Sequence, residues 1–481
     1  MNDSVRVQIC VLGAGPAGCS VAQRLAELGH DVCLIEQSAF PRPHIGESLT
    51  PAILLLLDQL ELREQVEKAG FLRPHQAIIH WAGETRLKTY EGEPGLQVDR
   101  GIFDQLLLES AQEAGVRVRQ PIRITKVTQN GSDGWQLSLN GEDGPETLHC
   151  DYLIDAGGQS SPVAGKRTRL GAATLALYGY WQNSAMHGTE SRVEAGENTW
   201  FWSAPLPGGL VNACVFVDSR HPSRHSALHP TGSRRDQLEV FYREQLGRSN
   251  LLRDCLSGHM IRPITACSAS ASYSDMPVGE GFIRVGDACV TLDPISSQGV
   301  QSAISMALQA AVVVHTQIRF PTLSDLAAEF YRQRQRENIT RHQRWANRFY
   351  AEQAAETPTE FWQTRAAGHA VDSTLEIEFL PETSPIPPEC KLMLHPAVSF
   401  TELPILKGDL ITSAQALSHP SLERPIAFIE HVELVPLMRL FVPGDTPEIL
   451  IEKWSHQLPA QHSTRILNWL WQHHLIQKAR S

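Results

Sequence analysis

The feature that most constrains this chain lies near its start. Val7 to Leu12 is a mostly apolar run, enough for one buried strand, and it feeds directly into Gly13-Ala14-Gly15-Pro16-Ala17-Gly18. A helical stretch, Cys19 to Leu28, comes next and is closed by Gly29. A second strand, Asp31 to Ile35, then ends at Glu36. Strand, glycine loop, helix, strand and acid in this order predict the first half of a doubly wound α/β sheet built to hold a dinucleotide. Gly13 permits the tight turn and Gly15 lets the backbone approach a pyrophosphate. Gly18 allows the helix to pack closely on the strand, and Ala17 lies beside it in the turn expected to bind the dinucleotide. The amides of that turn face the phosphates, and Glu36 is placed to accept hydrogen bonds from a ribose.

Two later segments choose among dinucleotides. Val285-Gly286-Asp287-Ala288 follows an apolar stretch (Phe282, Ile283) and precedes a glycine-containing loop and a helix. It resembles the GD motif of FAD enzymes of the para-hydroxybenzoate hydroxylase type, in which the Asp binds a ribityl hydroxyl. Asp151-Tyr152-Leu153-Ile154-Asp155-Ala156-Gly157-Gly158 resembles the strand that returns the chain to the FAD sheet, with Gly157 at the cofactor. Between them and the fingerprint, Val98 to Leu107 resembles the family helix whose Arg reaches the cofactor, which implies that Arg100 contacts a phosphate. The resemblance implies a Rossmann-type FAD-binding domain with an inserted antiparallel β-sheet that carries the substrate.

The branch is marked by three segments. Pro41-Arg42-Pro43-His44-Ile45-Gly46-Glu47-Ser48-Leu49 is similar to the loop beside the isoalloxazine in flavin-dependent halogenases and their monooxygenase relatives. Trp200-Phe201-Trp202-Ser203-Ala204-Pro205 resembles the halogenase WxWxIP motif, with Ala204 in place of Ile. Leu292-Asp293-Pro294-Ile295-Ser296-Ser297-Gln298-Gly299 resembles the loop over the flavin. The likeness covers about residues 1 to 350 and implies cofactor contacts at Arg42, Ser48, Pro294, Gln298 and Gly299. It implies catalytic positions at Glu47, Trp200 and Trp202.

One departure matters. Halogenases of this kind use a lysine between flavin and substrate, shortly before a strand that ends in Trp-Gly. In the matching stretch, Phe71 to Trp81, Pro74 or His75 stands in its place, and Lys88 belongs to the next strand. The resemblance then implies hydroxylation of an electron-rich aromatic ring by a C4a-hydroperoxyflavin, with His75 orienting or deprotonating the substrate. Flavoproteins of this type include the hydroxylases that oxidise a tryptophan inside a partner protein during tryptophylquinone biogenesis, which lack that lysine. A halogenase or hydroxylase of a small aromatic (indole, phenol or pyrrole) and a polyprenyl reductase are the alternatives. No second glycine fingerprint is present, so NADH or NADPH is expected to reduce the flavin in passing or through a partner reductase, with molecular oxygen as the co-substrate.

Composition closes off other classes. A net charge of -11 opposes general nucleic-acid binding. No apolar run reaches the ~18 residues of a membrane helix. Nine scattered cysteines without a CxxC pair fit reduced thiols in a cytoplasmic protein, with neither metal site nor disulfide scaffold.

The expected organisation is an FAD domain in three pieces (1–70, 99–168, 276–356) with a substrate sheet in two (71–98, 169–275). The third FAD piece holds a long amphipathic helix over Leu323 to Gln353, with Thr322 as its N-cap. A C-terminal module (357–481) follows a proline-marked stretch. Thr446 and Ser463 are its predicted N-caps. The order of its segments resembles a winged-helix-type domain like those that recognise peptides in modified-peptide biosynthesis, which with the arginine-rich helix suits a protein or peptide substrate.

Overall fold

The computed structural model describes residues 5–142, 144–219, 233–367 and 384–479. The chain divides into two compact units, Met1–His315 with Tyr331–Ala370 and Thr316–Phe330 with Val371–Ser481.

The first unit is built on two sheets. In the first, the strands run in the order Val278–Gly279, Phe282–Arg284, Gly144–Asp155, Val5–Leu12, Val32–Ile35, Arg117–Arg119. The pairs from Phe282–Arg284 through Arg117–Arg119 are parallel. The central segments Ile9–Leu12 and Val32–Ile35 are continuous apolar runs because both of their faces are covered, as parallel sheets require, whereas the edge strand Arg117–Arg119 is not. Val32–Ile35 is buried at all four positions. Helix Pro16–Glu27 lies against this sheet and helix Arg100–Glu113. Gln23 ties helix Pro16–Glu27 to the latter by accepting from Ser110. Gly29 ends the first helix in the left-handed region at φ 81°.

The second sheet is ordered His259–Met260, Thr174–Gln182, Leu210–Asp218, Trp200–Leu206, Ser191–Ala195, Gln76–Trp81, Glu84–Thr89. Strand Thr265–Ser268 also pairs with Thr174–Gln182. It is antiparallel except where Ser191–Ala195 meets Gln76–Trp81 in parallel. Those two strands lie more than a hundred residues apart in the chain, so no hairpin forces them to reverse. Period-two alternation gives the sheet two faces. Leu177, Trp181, Phe201, Ala213 and Val215 pack with Phe241, Tyr242 and Leu246 of helix Arg234–Gly247. Ala176, Trp200, Cys214 and Phe216 pack on the other side with Ile295, Ala346, Tyr350 and Trp362.

The long helix spans Ser324–Glu356, preceded by a 3-10 turn at Pro321–Leu323. The expected cap Thr322 lies inside that turn, because Pro321 starts a tighter turn before the α-helix begins. Helix Glu360–Ala366, beyond the expected boundary at 356, belongs to the first unit through Phe361, Trp362 and Arg365.

The second unit has its own core of Leu392, Leu417, Leu434, Leu437, Leu450, Trp454, Ile466 and Leu470. Hairpin Ser399–Lys407/Leu410–Ser418 precedes helices Leu434–Arg439, Pro447–Ser455 and Ala460–Gln472, and strand Ile476–Lys478 pairs back onto Leu392–Leu394. Thr446 is the N-cap of Pro447–Ser455, accepting from Ile449 N. Ser463 is not a cap: its helix starts three residues earlier, after Pro459, and Ser463 is buried within it. Trp454 is fully buried and donates to Leu437 O at 3.1 Å. Trp454→Ala is therefore expected to destabilise this unit by about 3–5 kcal/mol, seen as a separate early unfolding transition in urea. A single unshifted transition would count against an independent core.

Among the described residues no helix is long and apolar enough to cross a membrane, and no group of three His, Cys, Asp or Glu could hold a metal.

Candidate functional site: a glycine cradle facing an aromatic sheet

The glycine loop is built as a cradle. Gly13 sits at φ 94°, and a Cβ there would stand 2.7 Å from Ala156 O. Gly18 presses on Gly13, so that a Cβ on it would fall inside the radius of the Gly13 carbonyl oxygen. Gly15 is different: only Arg42 Nη2, at 3.8 Å, comes near its added Cβ, which leaves open space where a pyrophosphate would lie. It is also the N-cap of helix Pro16–Glu27 without any side-chain cap, so the first-turn amides are left for a ligand. Ala17 touches Gly286, whose added Cβ would stand 2.8 Å from the Ala17 Cβ.

Glu36 is buried and accepts from Ala14 N at 2.8 Å and Ser38 N at 2.9 Å, which fixes the carboxylate at the end of its strand. Arg42 lies 3.8 Å from both Glu36 and Asp104, too far for hydrogen bonds, and its buried Nε has no hydrogen-bond partner. A cationic group without hydrogen bonds beside an open glycine turn fits an anionic pyrophosphate. Arg100 is held elsewhere. Its Nε and Nη2 grip Asp104 at 2.8 and 3.0 Å, and Nη1 donates to Ile45 O at 2.6 Å. Arg100 thus orders the 45–48 loop, and Arg42 is the guanidinium nearer the glycine turn.

The ring-side loops converge on the same cleft. Ser48–Leu49 pairs with Leu96–Gln97, and Thr50 hydrogen-bonds Gln301 in helix Gly299–Arg319, just past Gln298 and Gly299. Gly157 N donates to Asp155 at 3.1 Å. Asp287 follows Gly286, which is at φ 58°. Burial raises the Asp287 pKa, while a hydrogen bond to Gln159 and the charges of Arg167 and Arg100 oppose the rise. Pro294 starts a short 3-10 turn that ends with Ser297 left-handed at φ 51°. Asp293 caps that turn, accepting from Ile295 N at 3.0 Å and from Tyr350 Oη at 2.9 Å.

Glu47 is the most enclosed of the predicted charged positions. Only 1% exposed, it accepts from Gly46 N at 2.8 Å, Tyr180 Oη at 2.6 Å and Asn212 Nδ2 at 2.8 Å. It therefore ties the loop to two strands of the second sheet. Register places Trp200 and Phe216, Trp202 and Cys214, and Ala204 and Asn212 on one face, joined by Tyr178 and Tyr180. Trp200 is fully buried, stacked on Phe216 at 3.6 Å and 4°. Trp202 is half-buried on the same face. His75 is exposed where the ladder begins, its carbonyl accepting from Tyr90 N. Lys88 is exposed across from Ala77, its ammonium 5.2 Å from the Tyr90 ring centre.

The acids around the cleft share one electrostatic feature. Burial raises Glu47, Asp287 and Asp293. A carboxyl whose folded pKa exceeds its unfolded value binds its proton more tightly when folded. The stability it contributes is fully present below the unfolded value and is lost as pH rises through the folded one. Wild type is therefore expected to gain stability relative to Asp293→Asn as pH falls below neutrality. Melting temperatures of both proteins across that range check the sign, and a parallel pair of curves would contradict it.

The sequence matches the FAD binding domain model FAD_binding_3 over residues 6–319. It is 32% identical over 380 residues to a tryptophan 2-halogenase of Chondromyces crocatus, covering 75% of this chain and 71% of that one. A flavin-dependent halogenase of Armillaria mellea is 29% identical over 67% of this chain and 68% of its own length. Among solved structures, the peptidyl tryptophan dihydroxylase QhpG, essential for tryptophylquinone cofactor biogenesis, superposes with a TM-score of 0.74 at 26% identity, over 98% of this chain and 100% of its own. The flavin-dependent halogenase CmlS shares the fold at TM-score 0.79, with 20% identity over 99% and 98% of the two chains. The glycine cradle, the ordered 45–48 loop and the tryptophan face all lie within the matched region, and the chain belongs to the halogenase-like FAD monooxygenases.

Proposed function

We propose that this enzyme hydroxylates an electron-rich aromatic ring, and that the ring is a tryptophan side chain presented by a partner protein. The observation that carries the reading is the position expected for a lysine. It holds buried Pro74 and exposed His75, while Lys88 stands on the neighbouring edge strand with its ammonium beside Tyr90. A halogenating enzyme of this family needs an ammonium between ring and substrate; a direct oxygen transfer does not. The match to the peptidyl tryptophan dihydroxylase, at 26% identity over 98% of this chain, supports the protein-borne substrate, although the halogenase CmlS covers the C-terminal unit equally.

FAD, when bound and reduced, supplies the electrons and activates oxygen. The chain's own residues do the rest. Gly13, Gly15 and the first-turn amides hold the pyrophosphate with Arg42, and Glu36 holds the ribose. Arg100 and Glu47 fix the loop beside the ring, and Trp202, backed by the buried Trp200, walls the substrate side and excludes water. The reductant in this account is NADH or NADPH, delivered directly or by a reductase, in the cytoplasm. His75 is assigned a substrate-orienting role from the strand edge.

Halogenation of tryptophan is the second reading, favoured by the 32% identity to the tryptophan 2-halogenase. By register Lys88 shares a sheet face with Ala77, Ser191 and Ala204, hence with Trp202. The test supplies the FAD-loaded protein with NADH, a flavin reductase and oxygen, and offers tryptophan either free or within a folded partner. Modification of the partner's tryptophan alone supports the proposal. Efficient turnover of free indoles or phenols with no binding to any polypeptide would overturn the protein-substrate part.

A further inference from the structure

Tyr180 was not among the residues the sequence pointed to, yet it is the polar group that the aromatic face holds most firmly. It lies on strand Thr174–Gln182, opposite Asn212, on the face that carries Trp202 and Tyr178. Its ring is half-buried and stands edge-on to Tyr178, the centres 6.0 Å apart. Two acceptors lie near its hydroxyl, Glu47 Oε1 at 2.6 Å and His44 O at 3.4 Å. The hydroxyl has one hydrogen, and a carboxylate at the shorter distance takes it, because charge-assisted hydrogen bonds are the stronger ones.

The contacts of Glu47 favour that direction, each of them opposing the rise in pKa that burial brings. Glu47 accepts from Gly46 N and Asn212 Nδ2 as well, so three donors point at one carboxylate. That is the environment of an acceptor, and Arg100 adds a nearby positive charge. With its hydrogen committed inward, the Oη of half-buried Tyr180 keeps its lone pairs unused, and no donor among the described residues is seen to reach them. A tyrosine would ordinarily donate to a ligand; this one is built to accept.

We propose that Tyr180 is the specificity-determining acceptor of the aromatic face, receiving a hydrogen bond from an N–H or O–H carried by the substrate ring, and that Glu47 acts through it as a positioning residue. The inference rests on the aromatic-substrate reading above and narrows it to rings bearing a donor: indoles, pyrroles and phenols. Such a bond draws the donor hydrogen away from the ring and leaves the ring carbons more electron-rich, which favours attack on an electrophilic oxygen. A ring of the same shape without the donor leaves the hydroxyl's acceptor sites desolvated and unmatched, and is rejected for that reason.

Equilibrium binding tests this without turnover. Indole, N-methylindole and benzothiophene are titrated into FAD-loaded protein and followed by ligand-observed NMR. Wild type is expected to bind indole about tenfold tighter than either donor-free ring. Tyr180→Phe should weaken indole by about the same factor and change benzothiophene by less than about twofold. Glu47→Leu should also lose the preference, since the Tyr180 hydrogen, without its carboxylate acceptor, is free to turn outward. Glu47→Asp should keep part of it, a rescue that a merely structural role would not give. Bound-flavin absorbance confirms that each variant is folded. Equal binding of all three rings by wild type, or an equal loss of all three in Tyr180→Phe, overturns the role of Tyr180 and leaves the hydroxylase reading standing. If FAD-loaded protein binds none of the rings, the role of Tyr180 fails, while the hydroxylase reading, whose ring is carried by a protein, stands.

Discussion

Gly18→Ala is expected to cost the protein its FAD, weakening binding by on the order of a hundredfold or about 3 kcal/mol. The added methyl has no space: it would overlap the Gly13 carbonyl oxygen and stand 3.3 Å from the Ala156 side chain. Backbone on one side and a packed strand end on the other cannot give way, so helix Pro16–Glu27 must lift off the sheet. Its first-turn amides then move away from the phosphates. Gly15→Ala is the informative contrast. Its methyl meets only the end of the Arg42 side chain, at 3.8 Å, so the apo protein should melt as wild type does while FAD binding still weakens. Flavin fluorescence titrations and melting curves on both variants separate the two effects. Wild-type affinity in Gly18→Ala would contradict the cradle.

The second large effect is expected at Arg284→Met. Arg284 is 3% exposed and pairs through Nε with Asp155, itself fully buried, at 3.1 Å. The two residues stand opposite each other on parallel strands. The remaining donors of Arg284 hold Ser274 Oγ at 3.0 Å, Met276 O at 2.9 Å and Ala164 O at 2.8 Å. Removing the guanidinium strands a carboxylate in the sheet that carries the cofactor loops, and breaking a buried pair in this way costs about 3–5 kcal/mol. Burial already pushes the Asp155 pKa up, against hydrogen bonds from Ser161 and Gly157 and the charge of Arg284, so its loss should push it further. Arg284→Met/Asp155→Asn should recover part of the stability, because no uncompensated charge remains. Urea unfolding of the three proteins checks the order. A single variant as stable as wild type would show the pair to be dispensable.

Much of this architecture was readable from local pattern. Val7–Leu12, the glycine turn and Glu36 are contiguous, and each residue answers to a steric or hydrogen-bonding demand of its neighbours. Trp200–Pro205 was likewise legible as a family motif, while the two unlike faces of its strand follow from the register of the sheet. Contacts between distant segments were not readable. Arg100 carries the family's position on its helix, but its hydrogen bonds to Asp104 and to Ile45 O depend on how a loop 55 residues earlier folds back. Glu47 was visible as a motif residue, whereas its partners Tyr180 and Asn212 lie more than 130 residues away on two strands. Period-two alternation would have placed both on the Trp202 face, had it been followed across strands. Ser463 misled because a serine before an apolar run looks like a cap; Pro459 starts the helix one turn earlier and leaves Ser463 facing the core.

The account stands on oxygen, not halogen, reaching the ring. The direct measurement is the product mass of a tryptophan-containing partner after turnover by the FAD-loaded protein in air, with NADH, reductase and excess bromide present. The account predicts a gain of whole oxygen atoms, unchanged by bromide and unaffected in Lys88→Met. Replacement of a ring hydrogen by bromine, lost in Lys88→Met, would contradict it and make Lys88 the ammonium that carries the halogen.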